Sequence, residues 1–195
     1  MSNVTDTPRI FVFSGPYGAG RKTIADMVAA TVGMERIIPY TTRIRRSAEV
    51  DGQDYHFISR EQFAEAKKKN EFVEILELDG ILHGIKEQEV DDKLQKYGLV
   101  YMILNRYGAD LMKEKYGDSL VRLFIHADVD TITKRQRQRG YSDDVIARQL
   151  IHYDHVMEYM HKCEHAFANG DIAHTAFAVS QVIESYLKRK FIETA

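Results

Sequence analysis

Gly15, Pro16, Tyr17, Gly18, Ala19 and Gly20 stand between a short apolar run and a segment with helical periodicity. Before them, Ile10, Phe11, Val12 and Phe13 form a continuous β-branched and aromatic stretch. Such a run predicts a strand buried on both faces. After them, Ile24, Met27, Val28, Thr31 and Val32 recur at helical spacing, and Gly33 supplies a stop. Strand, glycine loop and helix in direct succession narrow the possible folds more than any other feature of the chain. Glycines let the backbone curl until its N–H groups converge, and the helix N-terminus adds its positive end. Gly15, Gly18, Ala19 and Gly20 are therefore expected to hold phosphate through the main chain.

The side chains that follow depart from the usual pattern. A phosphate loop of this kind reads Gly, four residues, Gly, Lys, then Ser or Thr. Counting from Gly15 gives Gly20, Arg21, Lys22 and Thr23. Arg21 takes the lysine position, and its planar fork still matches phosphate geometry. Lys22 takes the hydroxyl position that normally touches magnesium, and a protonated ammonium cannot ligate a cation. Three arrangements fit: magnesium is held by other groups, Lys22 supplies positive charge in its place, or a one-residue shift lets Lys22 and Thr23 do the usual work.

Apolar runs at residues 99–104 and 120–126 read as further central strands, and residues 36–39 and 166–168 as short ones. Helices are expected over residues 61–70, opened by a Ser59/Gln62 capping box, and over 86–97, 109–116, 129–139, 142–160 and 172–187. The last should end in the basic run Lys188, Arg189 and Lys190. Repeated strand–helix alternation argues for a three-layer α/β sandwich, a central parallel sheet with helices on both faces, within one domain spanning residues 1–195. Residues 40–90 interrupt the alternation and read as an inserted subdomain. They include a hairpin, residues 72–78 and 81–83, turning at Asp79 and Gly80.

Lys plus Arg is 27 and Asp plus Glu is 29, a net charge of −2. That balance lacks the positive excess of a general nucleic-acid binder. The one cysteine, Cys163, cannot pair within the chain and fits a reducing compartment. The first nine residues carry one basic side chain, the apolar run after them is too short for a signal-peptide core, and no stretch approaches the roughly 20 apolar residues that cross a bilayer. A cytoplasmic protein without a membrane role is expected. His152 and His155 share one helical face, His161 and His165 roughly the opposite one, so on a continuous helix the four cannot converge on a metal.

From Thr41 onward a resemblance appears. Thr41, Thr42 and Arg43, then Arg46, Glu49, Asp51, Gly52, Asp54, Tyr55, His56 and Phe57, then Asn70, Glu71, Phe72, Val73 and Glu74, resemble the guanylate kinase family. Gly84, Gly108, Ala109, Arg135, Arg139, Gly140 and Asn169 extend the likeness in order over nearly the whole chain. The resemblance implies a P-loop nucleoside monophosphate kinase that moves the γ-phosphoryl group of ATP to a nucleotide, GMP by default. It implies that Arg43, Arg46 and Tyr55 grip the acceptor phosphate and that Glu74 accepts hydrogen bonds from the guanine edge. It also implies that Arg135 and Arg139, in a lid over residues 135–142, close on the transferring group, and that Asn169 lies against adenine. ATP and Mg²⁺ are the implied cofactors, the latter in a role the altered loop leaves open, with no protein ligand assigned to it.

The chain departs from the family pattern at Pro39, where a serine helps read guanine, and at His83, a phosphate-binding tyrosine position. It departs again at Ile85, a guanine-contacting hydroxyl position, and at Ile103 and Asn105, two strand aspartates. Gln149 stands in the register of another family arginine, beside Arg148. Two further readings fit these changes: a kinase for a different phosphorylated acceptor, and a catalytically silent binding domain.

Overall fold

The computed structural model describes residues 9–78 and 80–188. β1 (Ile10–Ser14) is buried along its whole length. It is the middle strand of a sheet ordered β2 (Glu35–Arg36), β7 (Val100–Ile103), β1, β8 (Leu120–His126), β9 (His165–Ala168). All four pairings are parallel. The two-residue period of a strand sends Phe11 and Phe13 to one face and Ile10 and Val12 to the other. On the first face Ile24 and Val28 of α1 (Arg21–Val32) and Val179 and Ile183 of α8 (Ile172–Lys188) complete the core. On the second, Val90 of α3 (Glu87–Tyr97) and Ala109 and Met112 of α4 (Arg106–Tyr116) do so. The result is the three-layer α/β sandwich that the strand–helix alternation implies.

A second sheet lies between β2 and α3 in the chain. Its order is β4 (His56–Phe57), β3 (Tyr40–Thr41), β6 (Ile81–Lys86), β5 (Phe72–Leu78). β5 and β6 form the expected hairpin, longer in its second strand, with a bulge between Phe72 and Glu74. The turn residue Asp79 lies outside the described residues, as do Arg189 and Lys190. α2 (Arg60–Lys68) opens on the capping box: Ser59 Oγ accepts from Gln62 N at 3.1 Å, and Gln62 Oε1 from Ser59 N at 2.8 Å. Phe63 then stacks on Phe72 at 4.3 Å, fixing the helix against the hairpin.

The structure differs from the sequence reading over residues 142–160. One helix was expected there; two are found, α6 (Asp143–Leu150) and α7 (Tyr153–Met157), followed by a 3₁₀ turn over Glu158–Lys162. The break at Ile151 and His152 has a tertiary cause. Leu150 and Tyr153 both pack against Ala19, Ala127 and Ile132, and the Tyr153 hydroxyl donates to the Ala127 carbonyl at 2.9 Å, while Ile151 is left exposed. The other helix starts move by a few residues. α4 begins at Arg106 because the Asn105 side chain accepts from the Tyr107 and Gly108 N–H groups.

Candidate active site

The glycine loop after β1 is held by three neighbours, each approaching a glycine too closely for a side chain. Gly15, Gly18 and Gly20 all have positive φ, at 132°, 82° and 93°. A Cβ on Gly15 would stand 2.0 Å from the Ile125 carbonyl oxygen of β8. One on Gly18 would stand 2.7 Å from Gln136 Nε2 of α5 (Val129–Gln138), and one on Gly20 2.5 Å from Asn169 Nδ2. Asn169 is fully buried and its Nδ2 donates to the Ala19 carbonyl at 2.8 Å. Asn169 Oδ1 and both polar atoms of the Gln136 side chain are buried without a hydrogen-bond partner. The loop therefore presents its main chain outward while its inner side is filled.

The two cations that follow diverge. Lys22 turns away from the loop: its ammonium lies 3.1 Å from Asp26 and 3.7 Å from Asp54, with about half the side chain exposed. Thr23 is half-buried in the first turn of α1. Arg21 instead runs under the C-terminal edge of the sheet and donates to the Leu104 carbonyl at 3.3 Å. Burial lowers its pKa from the ordinary arginine value, opposed by the Tyr55 and Tyr17 hydroxyls. No carboxylate among the described residues pairs with it. A partly desolvated guanidinium without an acidic partner is a place for an anion.

Arg21 belongs to two cavities. The smaller, of about 240 Å³, is lined by Pro39, Tyr55, Glu74, Leu76, His83, Ile103, Leu104 and Asn105 as well as Arg21. Glu74 is only 5% exposed, and burial pushes its carboxyl up to about 7. Gly108 makes room for it, since a Cβ there would come within 2.7 Å of Glu74 Oε1. The Tyr55 and His83 rings meet at 5.8 Å, and burial, then the nearby Arg43, holds the imidazole below its ordinary value. Arg43 lies behind Tyr55, its guanidinium carbon 5.5 Å from the ring, and grips Glu49 with two bonds of 2.9 and 2.7 Å. Glu49 also accepts from the Arg46 backbone at 2.8 Å, leaving the Arg46 side chain exposed near Tyr17. Ile85 sits in the core against Val90 rather than on the cavity wall.

The larger cavity, of about 650 Å³, shares Arg21 and Asn105 with the first and extends along Ser14, Gly15 and Tyr17. Beyond the loop, Arg135 donates to the Asn169 and Gly170 carbonyls at 2.8 and 3.2 Å, and its other terminal nitrogen is buried without a partner. Arg139 caps α5 and is exposed. Tyr141, two residues on, meets the Tyr17 hydroxyl at 3.5 Å, so the loop and the turn after α5 already touch.

The structure thus brings Arg21, Tyr55, Glu74 and His83 to one cavity and places Arg43 directly behind it. Lys22 and the Arg46 side chain are outside. The sequence reading assigned no role to Tyr17 or Gln136 and marked Asn105 only as a departure from a family aspartate; the further signal at Asn105 was its place before an apolar-periodic run, an N-cap pattern. Among the described residues no group of three or more His, Cys, Asp or Glu could hold a metal ion. Lys22, Ile103 and Asn105 stand where the sequence resemblance places a hydroxyl and two carboxylates. Burial pushes the Cys163 thiol up to about 12, which leaves it inert. No helix among the described residues is long and apolar enough to cross a membrane.

A parallel α/β sandwich with a glycine phosphate loop at the end of its central strand, and beside it a pocket that holds the buried Glu74 and Arg21, defines a P-loop nucleotide-binding protein. The guanylate kinase family model matches residues 7–186, and the chain belongs to that family. A guanylate kinase of Streptococcus pyogenes is 31% identical over 179 residues, 90% of this chain and 85% of that protein. One of Fusobacterium nucleatum is 29% identical over 180 residues, covering 92% and 97%. The solved guanylate kinase of Anaplasma phagocytophilum superposes with a TM-score of 0.71 at 23% identity, over 92% of this chain and 86% of that one, a likeness of fold.

Proposed function

We propose that this chain is an ATP-dependent nucleoside monophosphate kinase whose default acceptor is GMP. One observation carries the reading. The cavity with the buried Glu74 and the cavity along the phosphate loop meet at Arg21, an unpaired guanidinium. Phosphoryl transfer needs two nucleotides end to end, charge stabilisation between them and little covalent chemistry. The loop main chain from Gly15 to Gly20, with Thr23, takes the donor phosphates, and Arg21 stands where the group in transit passes. Glu74 accepts from the N–H edge of the acceptor base, and Tyr55, His83, Arg43 and Arg46 hold its phosphate. Arg43 is already aligned by Glu49. Asn169 supports the loop beside the adenine end.

Residues 40–90 form the acceptor subdomain and 135–142 the lid, carrying Arg135 and Arg139 inward and excluding water as they close. Magnesium, arriving with ATP, would supply charge neutralisation on the phosphates. Lys22, held by two carboxylates, is the weakest of the assigned donor contacts. Likeness to guanylate kinases supports a kinase over a silent binding domain, and the presence of Arg43, Arg46, Arg135 and Arg139 agrees with it.

An ATP-consumption assay across nucleoside monophosphates tests the proposal. Turnover with GMP is expected, and Arg43→Ala should lower kcat/KM for the acceptor by roughly thirtyfold, about 2 kcal/mol for a charge-assisted contact. Absence of turnover with every acceptor and divalent metal would leave the binding-domain reading instead.

A further inference from the structure

We propose that His152 and His155 form a second phosphate-contacting wall, facing the glycine loop across the larger cavity and binding the polyphosphate of the donor nucleotide. The inference deepens the kinase reading and rests on it only for the identity of the nucleotide. Ser14, Gly15, Tyr17 and Arg21 line one side of that cavity, and His152 and His155 line another. Residues 105–107, at the start of α4, lie between them.

The charges are of one sign. The lining residues include Arg21, Arg106, His152 and His155 and no aspartate or glutamate. A groove of about 910 Å³ beside α3 is different: Glu71, Glu87, Glu89, Asp91 and Asp92 line it together with three lysines. A concave surface with only cationic and neutral donors around a glycine loop suits an anion of several charges. Imidazole N–H groups are donors of the right kind.

The break between α6 and α7 is what aims them. His152 adopts φ −102° and ψ 11°, outside the helical region, and caps α7. His155 follows three residues later, one turn on, and so shares its face. Tyr153 anchors the turn through its bond to the Ala127 carbonyl, which fixes the histidines relative to the loop that Ala127's cluster also supports. His155 Nδ1 lies 3.8 Å from Glu158 Oε2, an exposed contact that leaves the other ring nitrogen free of it. Neither imidazole takes part in the core, so their presence in the cavity has no packing role.

The test is calorimetric titration of ATP, inorganic tripolyphosphate and adenosine into the full chain and its His152→Ala/His155→Ala double variant. Both side chains are exposed, so the melting temperature should not move; His152→Asn/His155→Asn, which keeps the volume and a donor, serves as a second variant. Loss of the wall should weaken ATP and tripolyphosphate by roughly tenfold or more, as expected for losing contacts to charged groups, and leave adenosine unchanged. The asparagine variant should recover part of the loss. A change of less than about twofold for tripolyphosphate, in a folded double variant, overturns the proposal. Equal weakening of adenosine also overturns it, since that would mark a general distortion. The outcome is separable from the kinase reading: weakened tripolyphosphate binding in a chain that phosphorylates no acceptor sinks the kinase and keeps the wall, and intact turnover with unchanged tripolyphosphate binding does the reverse.

Discussion

The phosphate loop and the pocket around Glu74 are built by opposite means. In the loop the backbone is preserved and the side chains are not. Gly15, Gly18 and Gly20 hold positive φ against Ile125, Gln136 and Asn169, while Arg21 and Lys22 replace the usual lysine and hydroxyl and point in different directions. In the pocket several side chains are locked to one another, Arg43 to Glu49, Tyr55 beside both Arg43 and His83, Glu74 against Gly108, while Pro39, His83, Ile103 and Asn105 on its wall depart from the expected types. A site made of main-chain N–H groups tolerates changes in side chain provided its glycines stay. A site made of charged side chains tolerates changes in backbone provided its partners stay.

The largest effect should come from breaking the backbone side of that contrast. Gly15→Ala places a Cβ against a main-chain oxygen at a φ that L-residues avoid, and neither β1 nor β8 can yield. Chemical denaturation should show a loss of about 3 kcal/mol or more. A loss under about 1 kcal/mol would mean that the loop is less rigid than its contacts imply.

Glu74 tests the side-chain half. Its carboxyl rises from 4.5 to about 7 because burial penalises the anion. Between those values the folded protein keeps a proton that the unfolded chain has released, so stability falls as pH rises. Glu74→Gln has no such proton and should gain on the parent by up to about 3 kcal/mol between about pH 4 and about pH 8. Acceptor binding should run the other way in the parent, strengthening as pH rises through about 7, because the anion is the better partner for a base N–H. A flat difference in stability with pH would show that Glu74 is better solvated than its 5% exposure indicates.

The smallest effect belongs to Lys22, and it sharpens the comparison most finely. Its pairs with Asp26 and Asp54 are half exposed, so Lys22→Ala should cost about 0.5 kcal/mol in thermal unfolding. With the ammonium held by those carboxylates, the magnesium concentration for half-maximal turnover should change by less than about twofold. A marked fall in that requirement would show the ammonium swinging to the phosphates when ATP binds.

In the parallel sheet the order of strands and helices was legible because burial leaves a pattern, apolar runs where a strand is covered on both faces and helical spacing where one face is. The two-residue strands Tyr40–Thr41 and His56–Phe57 carry no such run. Ser59 with Gln62, and Gly33, Gly98 and Gly117 after their helices, ended elements where local chemistry demanded it. The glycine loop was equally readable, since it is a short string whose shape depends on its own spacing. Direction was not. That Arg21 reaches the Leu104 carbonyl while its neighbour Lys22 faces Asp54 depends on segments 83 and 32 residues away in sequence. That residues 142–160 break at Ile151 and His152 depends on Tyr153 finding the Ala127 carbonyl, and only that break turns two histidines toward the loop. Glu74, on a hairpin strand, becomes a buried acid because α4 lays Gly108 over it. Sequence sets what each residue prefers from its own chemistry and near neighbours; burial and charge pairing across the fold are properties of distant segments meeting, and only the tertiary structure decides them.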